Sequence, residues 1–173
     1  MPLPDHVARN CLQLRSIECR GFQREGGLWD IEGHLVDTRT YPYASEERGL
    51  RDPGFPVHDM WVRLTVNDAF TVVAVATSMD AAPRAACPDI EPAYQGLVGL
   101  TIGKGWNQAV RALLGGERGC THLVELLGPV ASTTVQTIAG YRAAQQAAAG
   151  AAPAPQIVAC HALARSRGGQ HGR

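Results

Sequence analysis

The sequence predicts an α+β domain: an antiparallel sheet of two consecutive hairpins, with C-terminal helices on one face. Three observations lead there. Four runs of alternating or β-branched residues fill the first half of the chain. Turn-forming residues separate them in pairs. The second half then switches to apolar residues at helical spacing. The length of 173 residues fits one domain. We bound it at 15–149, between a loose segment over 1–14 and a disordered tail over 150–173.

The elements follow in order. Between Arg15 and Phe22, the residues Ile17, Cys19 and Gly21 share one face, and Arg15, Glu18 and Arg20 are expected in solvent. This is an edge strand. Gln23–Gly27 is a turn. From Leu28 to Asp37, the residues Leu28, Asp30, Glu32 and His34 alternate with Trp29, Ile31, Gly33 and Leu35, which makes a second strand and a hairpin partner. The connection over 38–56 holds Tyr41, Tyr43 and Phe55 with several prolines, so it reads as a packed loop. Trp61 to Val66 alternates again, Asn67-Asp68 marks a turn, and Phe70 to Ser78 is β-branched and apolar. Pro88 suits the first turn of a short helix ending near Gly96. Trp106, Val110, Leu113 and Leu114 share a helical face. From Cys120 to Ala149, Leu123, Leu127, Val130, Thr134, Ile138 and Tyr141 form a stripe, which Pro129 is expected to kink or split.

Composition narrows the functional classes. A formal net charge of zero gives no bulk attraction to nucleic acid or anionic membrane, so neither is an expected partner. A protein partner or a small-molecule substrate stays open. No apolar run is long enough for a bilayer, and Met1–His6 lacks a signal-peptide pattern. The expected compartment is the cytoplasm, where thiols stay reduced. Five cysteines at irregular spacing, with no CxxC, argue against a disulfide framework or a zinc ribbon.

Chemistry-bearing residues gather where elements begin and end. His58-Asp59 precedes the third strand, Cys87 follows the fourth, and Cys120-Thr121-His122 opens the long helix. A hairpin brings the start of one strand beside the end of the next, so His58 and Cys87 can meet, with Cys120 arriving from the helix. Imidazole, carboxylate and two thiolates make a plausible zinc or iron set. The expected ligands are therefore His58, Asp59, Cys87 and Cys120, with His122 behind them. A covalent alternative uses Cys120 as nucleophile, its thiolate favoured at a helix N-terminus, with His58 and Asp59 as acid–base and orienting groups. On a regular helix His122 points away from Cys120, and it becomes a partner only if the helix begins at or after Thr121. Single residues of these types are often packing. Cys11, Cys19 and Cys160 read so, His34 as a solvated or paired strand residue, and His161 and His171 as tail. The aromatics Trp29, Trp61, Trp106, Tyr41 and Tyr43 can line a pocket but read first as core or loop packing.

Two resemblances rest on particular residues. Gly27-Leu28-Trp29-Asp30-Ile31-Glu32-Gly33, Val57-His58-Asp59-Met60, Leu97-Val98-Gly99-Leu100 and the run from Gly119 to Leu127 resemble a bacterial family known only as a domain of unknown function. That resemblance covers about 15–140 and brings no activity with it. Residues 57–142 also resemble the iron–sulfur scaffold family, in which cysteines before and after a hairpin and at the C-terminal helix hold zinc or a [2Fe–2S] cluster. The resemblance sets Asp59 near the family's Asp, Cys87 at its second Cys and Cys120 at its third. His58 stands near the first Cys position, and Gly119 stands where the family has His. The family's Leu-Pro-Pro-Val-Lys co-chaperone motif is replaced by Gly116-Glu117-Arg118-Gly119. The resemblance implies the scaffold fold and a zinc or iron–sulfur cofactor. The expected function is a metal-binding or sulfur-handling module. The alternatives are a small enzyme acting on a small organic substrate through Cys120 or His58/Asp59, and a non-catalytic partner-binding subunit.

Overall fold

The computed structural model describes residues 4–5, 7–46 and 48–151. The chain divides into two compact units, Met1–Ile138 and Ala139–Arg173. The sheet and its site belong to the first. In the second, the described residues are the C-terminal part of one helix and the turn at Gly150, where φ is +68°. Cys160, His161, His171 and most of the expected tail lie outside the described residues.

Four long strands form one antiparallel sheet: β1 (Gln13–Gln23), β2 (Trp29–Arg39), β5 (Pro56–Val66) and β6 (Val72–Ala81), in that spatial order. This is the α+β architecture that the alternation predicts. The connection between β2 and β5 carries its own small hairpin, β3 (Tyr43–Ser45) and β4 (Gly49–Arg51). Sequence alone suggested only a packed loop there, because three-residue strands are too short to show a period of two. The turn after β5 is longer than an Asn-Asp pair. The Asn67 side chain accepts from the backbone N–H groups of Ala69 and Thr71, and Phe70 takes a positive φ of 62°. Asn67 thus replaces backbone partners inside the turn.

One sheet face is dry. Trp29, Ile31 and Leu35 of β2 and Met60, Val62, Leu64 and Val66 of β5 are buried, and register pairs them across the ladder. Two helices join this core. Helix α1 (Trp106–Leu114) contributes Trp106, Val110 and Leu114. Helix α2 (Thr121–Ala148) contributes Leu123, Leu126, Leu127, Val130, Ala131, Thr134 and Ile138. A 3-10 segment over Cys87–Leu97, with Pro88 near its start, buries Tyr94 and Leu97. Tyr141 is 42 % exposed, so the buried stripe stops before it. Pro129 does not split α2. It removes one backbone donor, and Leu126, Leu127, Val130 and Ala131 are buried on either side of it.

Helix α2 crosses the sheet where the sheet lacks side chains. A Cβ on Gly33 would sit 2.6 Å from Val130 Cγ2, and one on Gly21 would sit 2.2 Å from Thr137 Oγ1. Close approach, not turn geometry, accounts for these two glycines. Tyr94 fixes the start of the same helix. Its hydroxyl donates to the Cys120 carbonyl and accepts from the Cys120 N–H, both at 3.1 Å. Burial is the main cause that pushes the Tyr94 phenol well above its ordinary value, so the hydroxyl keeps its proton. No helix among the described residues is long and apolar enough to cross a membrane.

Gly33→Val should therefore destabilise the protein by about 1–3 kcal/mol, the usual cost of overpacking. A companion Val130→Ala change should recover part of that loss. Urea unfolding of the two single variants and the double variant checks both, and additive losses would count against the close approach.

Candidate functional site

Strand alternation delivers a carboxylate to the dry face. Trp29, Ile31, Gly33 and Leu35 point inward on β2, and Asp37 is the next inward position, only 2 % exposed. Across the ladders it pairs with Arg15 of β1 and with His58 of β5. Arg15 grips both carboxylate oxygens: its Nε donates to Oδ1 and a terminal nitrogen donates to Oδ2, each at 2.7 Å. His58 Nδ1 lies 2.9 Å from Oδ2. From the first turn of α2, His122 brings Nε2 to 3.9 Å from that oxygen, and its ring stacks on His58 with centroids 3.7 Å apart. Glu125, three residues further along α2, accepts a hydrogen bond from Arg15. Asp37, His58 and His122 each offer one ligand atom within 4.8 Å of the other two.

The charges in this cluster are mutually dependent. Burial pushes the Asp37 carboxyl up, but the Arg15 ion pair and the His58 contact outweigh it and hold the carboxyl below its ordinary value. Burial lowers both histidines. The neighbouring His122 lowers His58 further, and Arg15 lowers His122 further, against the opposing attraction of Asp37. Both shifts favour the neutral ring. In that form each ring keeps a lone pair that can take a metal or a proton.

The group assembled here is not the set expected from sequence. Asp59 follows His58 on the same strand, so it lies on the opposite face. There it meets His34 at 2.6 Å, and His34 stacks flat on Trp61 with centroids 3.7 Å apart. Of the two expectations for His34, solvated or paired, the structure shows the paired one. Cys87 begins the 3-10 segment after β6. Among the described residues, neither it nor Cys120 joins a cluster of three metal-binding side chains. Cys120 stands directly before α2, with its sulfur 4.0 Å from His122 Nδ1. The helix begins at Thr121, which is the condition under which the two can pair. His122, expected behind the ligands, is one of the three that converge. Arg15 is exposed, as expected, but its ladder register sets it opposite Asp37, on the same side of β1 as Ile17 and Cys19.

Asp37, Arg15 and Glu125 were the residues missed. For Asp37 the signal was present, since continuing the Trp29–Leu35 alternation by two positions puts a carboxylate inside. Arg15 has the same parity as Ile17. Glu125 had no such signal, because its partner lies 110 positions away.

Residues 13–136 match the model of a family described as "Protein of unknown function (DUF2889)". The chain belongs to this family. The matched span includes every strand, α1 and the part of α2 that carries His122 and Glu125. No curated protein and no solved structure matches the chain.

Stability should fall as the solution is acidified. Asp37, His58 and His122 all bind protons less readily folded than unfolded. Each therefore contributes stability that is complete above its unfolded-state pKa and is lost as pH falls through the lower folded value. For the histidines that window opens below the ordinary 6.5, and for Asp37 below the ordinary 3.8. Urea midpoints of metal-free protein should decline between pH 7.5 and 5, and less steeply for His58→Gln. Identical slopes would remove His58 from the account.

Proposed function

We propose that this protein is a metal-binding module whose site is Asp37, His58 and His122, and that zinc is the favoured ion. The supporting observation is that the buried Asp37 and the half-buried His58 and His122 each bring one ligand atom within 4.8 Å of the other two. With bonds of about 2.0–2.1 Å, neighbouring ligands of a tetrahedral zinc lie about 3.3 Å apart. The 2.9 and 3.9 Å separations from Asp37 Oδ2 bracket that value, so small side-chain rotations suffice. Three protein ligands leave a coordination position for water or substrate, as catalytic zinc sites do. Two His and one carboxylate also suit a non-haem ferrous ion. An iron–sulfur cluster is less well supported, since clusters are held by thiolates and neither Cys87 nor Cys120 joins the group. Arg15 orients the carboxylate, but its charge opposes a cation beside it. Affinity should be moderate for that reason.

Protein purified without an affinity tag, stripped and titrated with zinc, should take up one equivalent. His58→Ala and His122→Ala should each weaken uptake by about 10–100-fold or more. A Cys87→Ser, Cys120→Ser double variant should keep the metal. Equal or negligible zinc in wild type and both histidine variants would refute the proposal, as would loss of zinc from the cysteine variant alone.

The contact between Cys120 and His122 supports a second reading, a thiol enzyme. His122 Nδ1 faces the sulfur at 4.0 Å and Nε2 faces Asp37 at 3.9 Å. Base and orienting acid would then be in sequence behind the nucleophile, though loosely spaced for it. Alkylation of Cys120 by iodoacetamide at pH 7 should slow by about 100-fold in His122→Ala if His122 activates the thiol, the lower end of the usual range for a general base. An unchanged rate would set this reading aside.

A further inference from the structure

The small β3–β4 hairpin encloses a second feature, at a cavity of ≈ 170 Å³ between it, the start of β5 and the chain just after β6. Arg39, Arg48, Arg51 and Arg84 all line it, with Tyr43 and Phe55 among its walls. The whole chain has zero formal charge and 16 basic residues, so four guanidinium groups in one small cavity are a local concentration of charge. Glu46 is the one acidic side chain among the described lining residues, and it lies 3.7 Å from the exposed Arg84.

Two of these arginines are held in place from behind. The Arg51 guanidinium lies 5.1 Å from the Phe55 ring centre, and that of Arg39 lies 5.0 Å from the Tyr43 ring centre. Tyr43 is anchored in turn, its hydroxyl donating to the Pro56 carbonyl at 3.0 Å. Stacking on a ring satisfies the guanidinium face and leaves its edge donors for another group. The buried Nε of Arg51 has no hydrogen-bond partner among the described residues. A donor shielded from water and left unpaired is costly unless something accepts from it.

We propose that this cavity binds a small organic anion, an oxyanion carried on a flat apolar body. The guanidinium edges match a carboxylate or phosphate, while Phe55, Pro56 and Pro83 offer apolar wall. The cavity size restricts the ligand to something near a single ring. Nothing in this cavity depends on a metal at Asp37.

Calorimetric titration of the full chain with benzoate, benzamide and inorganic phosphate tests the assignment. Benzoate should bind, and should bind more weakly as salt is raised. Benzamide, with the same ring and no charge, should bind at least tenfold more weakly. Arg39→Gln and Arg51→Gln should each weaken benzoate at least tenfold, with the circular dichroism spectrum unchanged. The exposed Arg84 offers a variant that leaves the fold undisturbed, and Arg84→Gln should weaken benzoate several-fold. Arg111→Gln, on α1 and outside the cavity, should leave binding as in wild type. Benzamide as tight as benzoate, or benzoate binding unaffected in all three cavity variants, would overturn the proposal. Phosphate binding more tightly than benzoate would overturn its apolar half, and absence of binding by either anion would overturn it entirely.

Discussion

A charged carboxylate almost wholly out of water is tolerable only while donors and cations surround it. Asp37 is in that position, and its partners come from separate parts of the chain. Arg15 reaches it from the edge strand, His58 from the neighbouring inner strand and His122 from the start of α2. The cluster therefore needs the β1–β2 and β2–β5 registers and the docking of α2 to be correct together. Gly33 permits that docking by leaving room for Val130, and Tyr94 holds the helix start through both polar backbone groups of Cys120. The burial that makes Asp37 depend on Arg15 and His58 also disfavours a proton on either histidine.

Much of this was legible in the residues. Alternation around Trp29–Leu35 and Trp61–Val66 identifies the inner strands and their dry faces, because a period of two is a direct consequence of the pleat. The positions of His58 and of Cys120–His122 near the starts of β5 and α2 were also readable. The group that converges, Asp37, His58 and His122, differs from the expected ligand set, for a reason within the same rule. Adjacent residues on a strand face opposite ways, so His58 meets Asp37 on one face and Asp59 meets His34 on the other. Continuing the alternation backwards from Trp61 separates them, and continuing it forwards from Leu35 finds Asp37. The Arg15–Glu125 contact was beyond such reasoning, because it depends on how a helix lies across a sheet. The small hairpin was equally hidden, as its strands are shorter than the period needed to reveal them.

The inner strands therefore carry different chemistry on their two faces. Inside, Asp37 and His58 meet under α2, shielded and neutral or compensated. Outside, His34, Asp59 and Trp61 form a partly exposed stack and hydrogen-bonded pair. The aromatic ring of Trp61 supports His34 from the directly opposite ladder position, which is ordinary cross-strand stabilisation. The arginine-lined cavity lies beyond both, in a connection whose strands contribute little to the core.

The irregularity in the ladder between Asp37 and Thr38 has an evolutionary consequence. Thr38 pairs with Pro56 while Asp37 pairs with His58, so Val57 is the extra residue. The excursion between Thr38 and Pro56 can gain or lose residues without moving Asp37 or His58, because loop closure depends only weakly on length. A single deletion between His58 and Trp61 has the opposite effect, since it would turn His58 towards solvent and Asp59 towards the core. Variation in this family should therefore be concentrated in the arginine-bearing hairpin, where ligand preference can diversify, while the strand beside it stays constant in length.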